Sequence, residues 1–150
     1  MATQKAIEDF LSSKKLAVVG VSRNGKKFGN SAMQELKSRG FKVYPVNSKA
    51  DKIEGEECYR SLNSLPEKVD GAVIIVPPDE AGKVIRDAAA AGINKIWLQQ
   101  GSQSNDAISF CRDNGISAVY DECILMYTEP VTGFHKFHRT VNKIFRKYPK

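Results

Sequence analysis

Gly20, Ser22, Arg23, Gly25, Lys26 and Lys27 are the residues whose types and spacing could do chemistry, and that chemistry is phosphate binding. They lie in Leu16–Gly29, read Leu-Ala-Val-Val-Gly-Val-Ser-Arg-Asn-Gly-Lys-Lys-Phe-Gly. Ser22 could donate its hydroxyl to a phosphate oxygen, and three cationic side chains stand in or beside the same turn. Leu16–Val19 is a short apolar run, the glycines break it, and a helical pattern begins near Phe28. A strand, a glycine turn and a helix N-terminus together present unpaired N–H groups and a partial positive charge to an anion. The spacing nearly matches G-x-G-x-x-G: Gly20 and Gly25 fit the first and third positions, and Ser22 takes the second. A side chain there alters how closely a pyrophosphate can approach. The same stretch also reads as an ordinary strand-to-helix turn with solvated lysines.

The elements that must position these residues alternate. Ala6, Ile7, Phe10 and Leu11 recur at helical spacing, with Thr3 as N-cap. After the turn, Ala32, Met33 and Leu36 mark a helix that stops at Gly40. Phe41–Val46 reads as a second strand, ended by Pro45. From Asn47 to Pro66 the chain is polar, with Leu62 and Leu65 anchoring a short turn, and so long a connection is often functional. Gly71–Val76 is a continuous apolar strand ended by Pro77-Pro78. Asp79 then caps a helix carrying Val84, Ile85, Ala88 and Ala91. Lys95–Gln99 and Ile116–Tyr120 are the last strands, separated by a helix with Ala107, Ile108 and Cys111. This pattern predicts an α/β fold: a Rossmann-like doubly wound parallel sheet of five core strands in the order 3-2-1-4-5, with helices on both faces. Phe134, Phe137, Val141, Ile144, Phe145 and Tyr148 predict an added C-terminal helix over about 134–147.

A length of 150 residues suggests one domain, 1–150, with its core over 14–127. The net charge of +6 resides in the tail: six of the 23 Lys and Arg follow Glu129, and the other 17 balance 17 acids. A basic amphipathic helix can meet a membrane, a nucleic acid or a protein. Packing of its aromatic face on the sheet is the favoured expectation, so neither membrane nor nucleic acid is expected as a partner. No apolar run is long enough to span a bilayer, and no apolar signal core opens the chain. Cys58, Cys111 and Cys123 lack C-x-x-C spacing, and His135 and His138 fall in the tail, which argues against structural zinc and for a reducing, cytoplasmic setting.

In an open parallel sheet, ligands sit beyond the carboxyl ends of the strands where the order reverses. The expected order places that point between the first and fourth strands, with Gly20 facing Gly101. The strand ends are then Gly20, Val21 and Ser22; Val46, Asn47 and Ser48; Val76 and Pro77; Gln100 and Gly101; and Asp121–Cys123. NAD sites usually carry an acid after the second strand, accepting from the ribose hydroxyls. Asn47 replaces it here and does not repel a ribose phosphate. With the cationic turn, this favours a ligand carrying phosphate beyond its pyrophosphate; CoA and NADP both qualify.

At this point the chain resembles the small CoA-binding-domain proteins, which are similar to the N-terminal domain of the succinyl-CoA ligase α subunit and to a domain of NDP-forming acyl-CoA synthetases. The resemblance rests on residues 18–29, Val-Tyr-Pro-Val-Asn (43–47), Gly-Ala-Val-Ile-Ile-Val-Pro (71–77) and Ile-Trp-Leu-Gln-Gln-Gly (96–101), in that order. It covers most of residues 14–127. It implies CoA lying across the strand ends, with Gly20, Ser22, Arg23 and Lys27 near the phosphates and Val46 and Asn47 at the adenosine end. Val76 and Pro77 would wall the groove, and Gln100 and Gly101 would meet pantetheine. Two positions depart from the family's habit, since proline often stands where this chain has Gly25 and Ser48. The ligases also use a phosphorylatable histidine and further nucleotide-grasping domains, for which this chain has no counterpart. The expected function is therefore a non-catalytic CoA or acyl-CoA carrier, sensor or regulatory module, with a protein partner or homo-oligomer allowed. The alternative is an NADP-linked oxidoreductase or regulator using the same groove. Cys123 is expected at the ligand end of the last strand, where it could form a mixed disulfide with CoA or serve only as a small packing residue.

Overall fold

A computed structural model describes residues 3–22 and 27–127. Arg23, Gly25 and Lys26, and the C-terminal helix expected over 134–147, lie outside the described residues. The chain opens with α1 (Gln4–Leu11), where the Thr3 side chain accepts from the Ala6 amide as anticipated. It continues through β1 (Lys15–Val19), α2 (Phe28–Ser38), β2 (Lys42–Val46), β3 (Lys52–Ile53) and β4 (Glu56–Glu57). A 3₁₀ turn (Leu62–Ser64) leads to β5 (Gly71–Ile74), α3 (Pro78–Ala90), β6 (Lys95–Gln99), α4 (Asn105–Asp113) and β7 (Ser117–Glu122), closed by a second 3₁₀ turn (Ile124–Met126).

Five parallel strands form the main sheet in the order β2-β1-β5-β6-β7. Counting only these five, the order is 2-1-3-4-5, which corrects the expected 3-2-1-4-5. The strand Gly71–Ile74 pairs with the free side of β1, Leu16 opposite Gly71 and Val19 opposite Ile74. Proline supplies a physical reason. Pro45 sits inside β2 rather than at its end, and its carbonyl accepts from Tyr59 on the outer side. Proline has no N–H for a second ladder, so β2 suits an edge. All four residues of β5 are buried, as a central strand requires.

Side chains alternate across the sheet into two layers. Leu16, Val18, Val73 and Trp97 face one cluster, joined by Ile7 and Phe10 of α1 and Met33 and Leu36 of α2. Ala17, Ala72, Ile74, Ile96 and Leu98 face the other, with Ala81, Ile85 and Ala88 of α3 and Ala107 and Cys111 of α4. Helices cover both faces, so these strands read as continuous apolar runs instead of alternating ones. The crossover into β5 begins with structure the sequence did not announce. The β3–β4 hairpin turns at Glu54 and Gly55, both with positive φ, and buries Ile53 in the first cluster. Leu62 anchors the 3₁₀ turn against the second cluster, as expected.

Asp70 ties the start of β1 to the approach of β5. Its Oδ2 accepts from the Lys14 amide at 2.8 Å and the Lys15 amide at 3.0 Å. These bonds hold its carboxyl below the usual Asp range. A depressed folded pKa gives stability that is present above the unfolded pKa and lost as pH falls through the folded one. Asp70→Asn is therefore expected to flatten the acid limb of the stability profile below about pH 4. Urea unfolding across pH checks this; an unchanged acid slope would contradict it.

Candidate functional site

The glycine turn opens into a groove of about 390 Å³ at the carboxyl ends of β1, β2 and β5. With the corrected order, the reversal lies between β1 and β5, and the groove sits at that switch point. Gly20 makes the junction. Its φ is +122°, and a Cβ there would stand 1.9 Å from the Ile75 carbonyl oxygen. Gly29 backs it, since a Cβ at 29 would meet the Gly20 oxygen at 2.3 Å. The pairing of Gly20 with Gly101 is therefore replaced by Gly20 with Ile75, because β5 stands between β1 and β6.

Eight expected residues line the groove: Gly20, Val21, Lys27, Val46, Asn47, Ser48, Val76 and Pro77. Ser22, Gln100, Gly101 and Cys123 do not line it. Lys27 is the N-cap position of α2, extended, with no side-chain capping bond. The first turn of α2 therefore has no capping side chain, and of its amides that of Asn30 donates to the Lys27 carbonyl at 3.0 Å.

Asn47 does more than replace an acid. Its Nδ2 donates to the Val21 carbonyl at 2.9 Å, and its Oδ1 accepts from the Lys49 amide at 2.7 Å. Its own amide donates to the Tyr59 carbonyl at 2.9 Å. The side chain thus clips the end of β2 to the end of β1. One hydrogen and one lone pair remain for a ligand. An Asp here would set a carboxylate against the Val21 carbonyl, which gives a structural reason for the amide beyond ligand charge.

The groove's other wall is formed by residues that no sequence motif marks. Lys49, Arg60, Ser61 and Leu62 come from the long polar connection, and Glu80, Lys83, Val84 and Asp87 from α3. The connection's length was the available signal; which of its residues return to the strand ends depends on the hairpin. Arg60 pairs with exposed Asp51 at 2.9 Å, and Lys83 with Asp87 at 3.2 Å. Solvent-exposed pairs of this kind are worth little, so both cations can be drawn to an anion in the groove.

The far ends of β6 and β7 form a separate, well-tied region. Ser102 Oγ accepts from the Val76 amide at 3.1 Å, and Gln103 links the Gly101 amide to Asp121, which has positive φ. Cys123 is half-buried in this region and precedes the last 3₁₀ turn. Cys58 and Cys111 are buried, and burial raises both thiols, Cys111 to about 11. Among the described residues, no cluster of His, Cys, Asp and Glu could hold a metal, and no helix is long and apolar enough to cross a membrane.

The CoA binding domain family matches residues 14–129 of this chain, from the start of β1 past the last 3₁₀ turn. The chain belongs to that family. It is 41% identical to a conserved hypothetical protein from Pyrococcus furiosus, with a TM-score of 0.72 over 77% of this chain and 99% of that one. It is 40% identical over 89 residues to an ADP-forming acetate–CoA ligase of Archaeoglobus fulgidus, covering 58% of this chain and 13% of the ligase. An acetyl-coenzyme A synthetase from Korarchaeum cryptofilum superposes with a TM-score of 0.60 at 32% identity, over 71% of this chain and 25% of the synthetase. This CoA-binding domain thus spans about one-eighth of that ligase. The likeness to the ligase-type CoA-binding domain expected from residues 18–29, 43–47, 71–77 and 96–101 is borne out.

Proposed function

We propose that the groove between β1, β2 and β5 binds CoA or an acyl-CoA and that the chain acts as a carrier, sensor or regulatory module. The observation that carries this reading is the switch-point groove itself. It sets a helix N-terminus and Lys27 beside Gly20, with the neutral Asn47 amide just past β2, in a member of the CoA-binding domain family. The phosphates take the Gly20–Ser22 end and Lys27, with Arg23 added from the turn. Adenosine lies along Val46, Asn47 and Ser48, and Val76 and Pro77 wall the opposite side. Arg60 and Lys49 supply further positive charge at the adenosine end. Pantetheine leaves the groove toward Gln100, Gly101 and Cys123. Residues 14–127 act as one domain in this reading. The ligase and synthetase relatives use this unit inside much longer chains, which makes a larger protein partner a natural setting.

Calorimetric titration with CoA, acetyl-CoA, NADP and NAD tests the reading. CoA is expected to bind more tightly than NAD; equal or tighter NAD binding would overturn it. NADP binding tighter than CoA would favour the oxidoreductase alternative. In the same assay, Lys27→Ala is expected to weaken CoA by about 1 kcal/mol, because Lys27 is exposed and water screens its charge. The loss should be larger for CoA than for dephospho-CoA. An equal loss would assign Lys27 to the pyrophosphate.

A further inference from the structure

Asn30 has no role in the reading so far, yet it is a polar side chain only 2% exposed at the base of the phosphate turn. It sits in the first turn of α2, beside Gly29. Its Oδ1 accepts from the Ser22 amide at 2.8 Å, and its Nδ2 donates back to the Ser22 carbonyl at 3.0 Å. Its backbone amide donates to the Lys27 carbonyl at 3.0 Å. One residue therefore grips both ends of the turn, Ser22 where it leaves β1 and Lys27 where it enters α2. The second Nδ2 hydrogen goes to Glu54 Oε2 at 3.0 Å.

Glu54 gives this contact its direction. A carboxylate only accepts, so it holds the nitrogen of the amide toward the hairpin and Oδ1 toward the Ser22 N–H. The turn residue Glu54 has positive φ, and its hairpin is held on α2 by the Lys37–Glu56 ion pair and by buried Ile53. The β3–β4 hairpin, α2 and the Ser22 end of the turn are thereby joined through one amide.

We propose that Asn30 is the positioning residue of the CoA phosphate site, fixing the spacing of Ser22 and Lys27, with Glu54 setting the orientation of its amide. This rests on the CoA reading above. An anion held by a helix N-terminus and a turn gains most when both are preorganised at a set distance, because ordering them on binding costs affinity. Loss of Asn30 leaves the residues that face the groove unchanged and relaxes the frame between them.

The test measures CoA affinity of the full chain and of Asn30→Ala and Asn30→Asp by calorimetry at pH 8 and pH 5.5, with unliganded melting followed in parallel. Asn30→Ala is expected to bind CoA about tenfold more weakly, by the same factor at both pH values, as the net worth of the two lost hydrogen bonds to Ser22 implies. Asn30→Asp keeps the acceptor for Ser22 but, when ionised, sets a carboxylate against the Ser22 carbonyl and Glu54. Its deficit relative to the native protein should shrink at pH 5.5, because burial and the facing Glu54 carboxylate favour the protonated acid, which restores a donor, and titration of CoA itself cancels in the ratio. A loss under about threefold for Asn30→Ala, or an Asn30→Asp deficit equal at both pH values, would overturn the role. Failure of the native protein to bind CoA would instead remove the underlying reading.

Discussion

Gly20→Ala is expected to abolish CoA binding and to destabilise the fold by about 3–5 kcal/mol, from backbone strain and overpacking together. Two penalties meet at one carbon. The residue's φ of +122° is a conformation that an L side chain rarely adopts, and the added methyl would sit 1.9 Å from the Ile75 carbonyl oxygen. That oxygen belongs to backbone at the end of β5, so no side chain can swing aside. Relief requires β1 and β5 to part at the switch point, the place where the groove opens. Denaturant unfolding and calorimetry measure both effects. A variant with native stability and native CoA affinity would show that the two strand ends do not approach as described. Gly29→Ala makes an independent check, because its methyl would press on the Gly20 carbonyl from the other side.

This close approach explains why the first part of the site could be read from residues alone. A glycine ending an apolar run before a helix has few structural uses, and each places backbone against something. The alternation of strands and helices was equally legible, because buried parallel strands and amphipathic helices have distinct local patterns. Strand order was not. Whether Gly71–Ile74 joins β2 or crosses β1 is a long-range pairing, and both choices keep right-handed crossovers. Pro45 holds the answer through its missing second ladder, but in sequence a proline is equally a signal for the end of a strand. The far wall of the groove was hidden for a similar reason. Lys49 and Arg60 look like solvated charges until the hairpin, with its two-residue β-strands, folds the connection back on the strand ends. Asn30 looks like any polar helix residue; only its distance from Ser22 gives it a task.

Trp97→Ala is expected to cost about 3–5 kcal/mol, the range for removing a fully buried large aromatic. Trp97 is completely buried at the centre of the first cluster. Phe10 meets its ring edge-on at 5.4 Å, and Tyr127 lies tilted at 5.8 Å, so three distant parts of the chain converge on one indole. The indole N–H donates to the Glu122 carbonyl at 3.1 Å, where the register between β6 and β7 shifts. Tyr127 adds a second tie by donating to the Glu122 carboxylate at 2.7 Å. Loss of the ring therefore leaves a cavity and also frees the turn holding Cys123. Trp97→Phe keeps most of the volume and gives up the N–H, which should cost only about 1 kcal/mol. The pair separates packing from the hydrogen bond. Cys123 in the Ala variant should react faster with a thiol reagent than in the native protein or the Phe variant, with Cys58 and Cys111 remaining slow in native buffer. Equal Cys123 rates in all three proteins would mean that Trp97 packs the core without restraining the end of β7.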